Sequence, residues 1–90
     1  MALASIEGYY KMATETKEKL IRVLQLMQTT DEKTPMNATQ IVEKLSSEYE
    51  LERVDRRSIY RDIALLQDCG YDIVQTTDKR SGWYMNTHAF

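Results

Sequence analysis

Two helix-start signatures in succession, each followed by an apolar stripe at helical spacing, constrain this chain more than any other feature. The first is Met36-Asn37-Ala38-Thr39-Gln40-Ile41. The Asn37 side chain can accept from the backbone N–H three residues on, Gln40 can reach back to the Asn37 N–H, and Met36 and Ile41 stand where an apolar staple forms. The second is Val54-Asp55-Arg56-Arg57-Ser58-Ile59, with Asp55 as the cap and Val54 and Ile59 as the staple pair. Ile41, Val42, Leu45 and Tyr49 extend the first stripe and predict a helix over 38–49. Ile59, Ile63 and Leu66 lie within about 60° of one another on a wheel of 100° per residue and predict a helix over 56–69. Gly70 follows where a helix end needs a residue of positive φ. Cys69, at the end of that helix, reads as a small buried hydrophobe.

Upstream, Leu20, Val23, Leu24 and Met27 share a face opposite Glu18, Arg22 and Gln25, which predicts a helix from about Thr16 to Thr29. Ile21 and Leu26 flank that stripe and widen it. Thr30-Asp31-Glu32-Lys33-Thr34-Pro35 breaks the helix. Residues 1–13 show no clear period and contain Gly8, so they are set apart as an arm: a loose segment, a short extra helix, or a leader before the start-like Met12-Ala13-Thr14. After Gly70 the period changes. Tyr71-Asp72-Ile73-Val74-Gln75-Thr76 is β-prone, Trp83-Tyr84-Met85 is a second short strand, and 77–82 is a polar, Gly-terminated loop of hairpin length. The expected fold is mostly α with a small β-hairpin: a winged helix-turn-helix of three helices plus a two-stranded wing, occupying residues 14–86.

Ninety residues allow one domain with one core. A single cysteine, Cys69, and a single histidine, His88, leave no disulfide framework, zinc cluster or Cys–His pair to build on. No catalytic constellation stands out, so the chain is read as a non-enzyme without metal or cofactor. No apolar run approaches the roughly 18 residues of a membrane span, and the N-terminus lacks a secretory pattern. The expectation is a cytoplasmic, nucleoid-associated protein with no membrane partner.

The net charge of −2 conceals a local reversal. Residues 53–61 hold Arg53, Arg56, Arg57 and Arg61 against Asp55 alone, a third of the chain's positive charge. With Ile59, Ile63 and Leu66 turned inward, Arg57 and Arg61 project together from the opposite side, and Tyr60 lies beside them. A helix in a major groove needs long donors there, since arginine pairs with guanine O6 and N7, and it needs phosphate contacts to fix its register. Arg57, Arg61 and Tyr60 suit base edges or flanking phosphates. Arg56 and Ser58 suit phosphate or first-base contacts, and Lys79 and Arg80 at the hairpin tip suit the neighbouring backbone or minor groove. Thr39 and the second helix's N-terminus suit a phosphate held by backbone N–H groups. A charged helix face in an arbitrary small domain is more often merely solvated. Here the cluster follows a capped helix and precedes a hairpin with a basic tip, and that conjunction favours double-stranded DNA.

At these residues the chain resembles a family. Asp55-Arg56-Arg57-Ser58-Ile59-Tyr60-Arg61-Asp62-Ile63, then Leu65-Leu66 and Gly70, looks like the recognition helix of bacterial DeoR-type regulators, closest to those with a C-terminal WYL ligand-sensing domain. Gly82-Trp83-Tyr84-Met85 is similar to the family's Gly-Tyr-Tyr-Leu element, and Asn37-Ala38-Thr39-Gln40-Ile41 to its Thr-Ala-x-x-Leu opening of helix 2. The resemblance covers about residues 17–86. It implies a sequence-specific DNA-binding domain of a bacterial transcriptional regulator, acting as a homodimer in the full-length protein, with a small-molecule effector only through a missing C-terminal domain. Residues 87–90 then resemble the start of a linker, in which His88 is functionally silent. Ser46–Val54 is about two helical turns longer than the family's tight turn between helices 2 and 3. Ile21, Leu26 and Tyr9-Tyr10 are candidate contact surfaces, with core packing as the plainer reading. Asp62 is expected to anchor an arginine or a backbone N–H. The competing reading is a winged helix used for protein–protein contact without direct DNA binding.

Overall fold

A computed structural model of the chain describes residues 2–78 and 81–86, with side chains from residue 15 onward. The described elements are α1 (Ala2–Gln28), α2 (Ala38–Tyr49), α3 (Arg56–Asp68), β1 (Ile73–Gln75) and β2 (Trp83–Met85). Three helices followed by an antiparallel hairpin make a winged-helix arrangement.

The second helix starts as its sequence dictates. Asn37 Oδ1 accepts from Gln40 N at 2.8 Å, and Gln40 Oε1 accepts from Asn37 N at 2.9 Å, so both halves of the capping box form. It ends at Tyr49, as its apolar stripe predicts: Glu50 takes a left-handed φ of 58° and closes the helix by donating its N–H to Leu45 O and Ser46 O. The longer connection between α2 and α3 is therefore non-helical chain from Glu50 to Asp55. Asp55 Oδ1 caps α3 by accepting from Ser58 N at 2.8 Å. Met36 and Val54, the expected staple residues, both pack against the core.

Val23, Leu26 and Met27 of α1, Ile41 and Leu45 of α2, Ile59, Ile63 and Leu66 of α3, and Ile73, Trp83 and Met85 of the hairpin form one buried cluster. β1 and β2 pair with Ile73 opposite Met85 and Gln75 opposite Trp83. Met36 bridges the far side of β2 at Trp83, so the hairpin is also bonded to the chain just before α2. A buried threonine completes the frame: the Thr30 hydroxyl donates to Met27 O and accepts from Met85 N, joining the end of α1 to β2. Nothing in the sequence distinguished Thr30 from the rest of a polar turn.

Three expectations need correction. Helix α1 begins at Ala2 rather than near Thr16, running through the stretch set apart as an arm. Ala2, Leu3, Ala4, Glu7, Lys11, Met12 and Ala13 are strong helix formers, and one glycine costs only about 1 kcal/mol. Cys69 is exposed, not buried. It caps the helix about 80° away from the Ile59 direction on a wheel of 100° per residue, past the last residue that packs. Of the two candidate contact residues on α1, Leu26 lies in the core, in keeping with the plainer reading, whereas Ile21 is 54% exposed. The strand after Gly70 is also shorter than its β-prone run, because Tyr71 N donates back to Leu66 O and ties the start of that run to the end of α3.

Candidate nucleic-acid interface

The inward stripe of α3 decides what the rest of that helix presents. Ile59 is fully buried and Ile63 nearly so, which turns Arg57, Tyr60, Arg61 and Ala64 to solvent. Arg53 and Arg56 are exposed at the approach to the same helix. Among the described residues none of these four arginines forms an ion pair or hydrogen bond.

Three other described cations are spent internally, whereas Lys17 and Lys33 are exposed and form no ion pair among the described residues. Arg22 Nε lies 3.3 Å from Glu18 Oε2, its Nη1 donates to Gln25 at 2.9 Å, and its guanidinium sits 4.3 Å over the Tyr49 ring. Lys44 pairs with Glu48 at 3.2 Å. Lys19 Nζ lies 3.0 Å from Asp62 Oδ2, with both side chains about 15% exposed. Asp62 therefore does anchor a cation, but a lysine of α1 instead of an arginine or a backbone N–H. No described donor completes a directed hydrogen bond to that oxygen, so the contact is an ion pair alone. It holds α3 against α1 and keeps the one carboxylate of the Arg57–Ala64 stretch turned inward.

The remaining expected residues divide. Tyr60 is 55% exposed, and its ring meets Trp83 edge-on, with centroids 5.1 Å apart and planes at 76°. One rim of the phenol is thus committed to the wing and the other faces solvent. The Ser58 hydroxyl donates to Asp55 O at 2.8 Å, so its only proton serves the helix cap and is not free for a phosphate. Thr39 is exposed in the first turn of α2. Lys79 and Arg80 lie outside the described residues, as do His88 and the side chains of Tyr9 and Tyr10. At the wing root, Thr76 N donates to Gly82 O at 2.8 Å and Ser81 N to Asp78 O at 3.0 Å, so the loop is closed on both sides of the tip.

A concavity of about 590 Å³ lies on the α1 side of α3, lined by Glu15, Lys19, Glu50, Glu52, Arg53 and Asp55 among others. Its acidic rim does not suit a phosphate. Among the described residues there is no cluster of three or more metal-ligating side chains, and no helix long and apolar enough to cross a membrane. Compared with models of protein families, with characterised proteins and with solved structures, the chain matches none.

Proposed function

We propose that the chain is a double-stranded DNA-binding module that reads its site with α3. The observation that carries this is the clustering of four exposed arginines without a described internal partner within residues 53–61. Lys19, Arg22 and Lys44 are paired, and the other exposed, unpaired described cations, Lys17 and Lys33, are single charges far from that cluster in sequence. Unspent guanidinium donors on an exposed helix face are what phosphate and guanine contacts require. In this reading Arg57 and Arg61 reach base edges or flanking phosphates, Arg56 holds the backbone, and the wing, with Lys79 and Arg80 at its tip, lies along the neighbouring backbone. Tyr60 sits between helix and wing. The sequence resemblance to DeoR-type regulators supports the same reading and adds transcriptional control, a homodimer and a cytoplasmic, nucleoid-associated setting to it. The net charge of −2 favours local docking over wrapping, since the rest of the surface repels a polyanion.

The test is fluorescence anisotropy of a labelled mixed-sequence duplex over a salt series. Non-specific affinity on the order of 10⁻⁴–10⁻⁶ M is expected, falling steeply with salt. Arg57→Ala/Arg61→Ala should weaken binding about a hundredfold at about 50 mM salt and reduce the slope of log K against log salt by about 2. Salt-independent association, or a double variant that binds like the wild type, would overturn the reading in favour of a protein partner.

A further inference from the structure

Three parts of the molecule meet at the root of the wing. On one edge of β2, Met36 N donates to Trp83 O and Trp83 N donates to Met36 O, both at 2.9 Å, so the wing is bonded to the residue that precedes the α2 cap. On the other side the Trp83 ring meets Tyr60 of α3. The residue between loop and strand, Gly82, is buried with a φ of +95°. A Cβ there would fall 2.1 Å from Met36 O and 2.4 Å from Asn37 Cα, and both are backbone atoms that cannot rotate aside. The close approach of β2 to the start of α2 thus exists only because residue 82 has no side chain.

We propose that Gly82 is a positioning residue for DNA binding, which rests on the reading above. It does not touch nucleic acid. By letting β2 lie against Met36 and Asn37, it fixes the wing, the N-terminus of α2 and the arginine face of α3 as one preorganised surface. A surface assembled before binding does not lose ordering free energy on contact. A wing released from Met36 would have to be ordered anew with each encounter.

Gly70 supplies the control. Its φ is +103°, as unusual as that of Gly82, but a Cβ there meets nothing within 4 Å. Gly70→Ala therefore adds backbone strain without a clash, and Gly82→Ala adds both. Each variant is titrated with the labelled mixed-sequence duplex at a temperature where circular dichroism shows it folded. Gly82→Ala is expected to bind about tenfold more weakly, while Gly70→Ala stays within about twofold of the wild type. A folded Gly82→Ala with wild-type affinity overturns the proposal. Hydrogen exchange on the unaltered chain decides the matter if Gly82→Ala does not fold. The Met36 and Trp83 amides should then be protected as strongly as that of Ile63, and exchange at the rate of an open hairpin edge overturns the clamp. A wild-type chain that binds no duplex removes the DNA-binding reading and this role with it, and protected Met36 and Trp83 amides would still establish the clamp as a feature of the fold.

Discussion

Helices α2 and α3 are built by one set of rules and end with different outer faces. They run for 12 and 13 residues, each starts from a side-chain cap in extended backbone, and each buries a stripe of apolar residues on the same core. On the outside of α2, Lys44 and Glu48 neutralise each other. On the outside of α3, Arg57 and Arg61 stand without a described partner, and the nearest carboxylate in sequence, Asp62, is held by Lys19. The inward stripe therefore determines that a helix forms and where it packs, and says nothing about function. The proposed function rests instead on the charge that the fold leaves unsatisfied.

If the two inward faces are equivalent, truncating their fully buried residues should cost alike. Leu45→Ala and Ile59→Ala should each lose about 2–5 kcal/mol of stability in urea denaturation. A loss under about 1 kcal/mol at either position would break the symmetry of the comparison, because a buried leucine or isoleucine in a packed core does not give way so cheaply. The outer faces should differ sharply. Beside the hundredfold effect of the arginine pair, Lys44→Ala/Glu48→Ala should leave duplex affinity unchanged within about twofold and stability within about 0.5 kcal/mol, the usual worth of an exposed ion pair. If the α2 pair matters as much as the arginines, the acidic and basic surface is acting as a whole and α3 has no privileged role.

The caps sharpen the comparison at a smaller scale. Asn37→Ala and Asp55→Ala should each cost about 1 kcal/mol, read from shifts in the denaturation midpoint. The smallest effect belongs to the turn before α2. Asp31 accepts hydrogen bonds from the Lys33 N–H, the Thr34 hydroxyl and the Thr34 N–H, which hold its carboxyl below the usual aspartate range. A lowered folded value means that the turn is supported at neutral pH and loses that support as pH falls through the lowered value. NMR titration should give Asp31 a midpoint below that of a free aspartate, and a raised midpoint would contradict the turn geometry.

Much of this was legible because helix caps and helical periods are local. Asn37, Gln40 and Asp55 act on backbone groups three residues away, and Ile59, Ile63 and Leu66 declare a face by spacing alone. Contacts that cross the chain were not legible. Thr30 receiving the Met85 N–H, Lys19 reaching Asp62 and Gly82 against Met36 join residues whose sequence separation carries no signal. Cys69 was misjudged for a related reason, since burial at a helix end depends on what lies above it and nothing does. Ser58 shows the same limit within the candidate site. Its hydroxyl matched the chemistry of a phosphate contact, yet the Asp55 carbonyl next to it in space already takes the proton.

The most direct test of the account is a ¹⁵N–¹H NMR titration of the chain with a mixed-sequence duplex at low salt. The account predicts shifts clustered at Arg56–Ala64 and at the wing root around Gly82 and Trp83, with the outer face of α2 and the Ile21 side of α1 unmoved, and their disappearance in Arg57→Ala/Arg61→Ala. A spectrum that does not move, or one that moves only along α1, would contradict it.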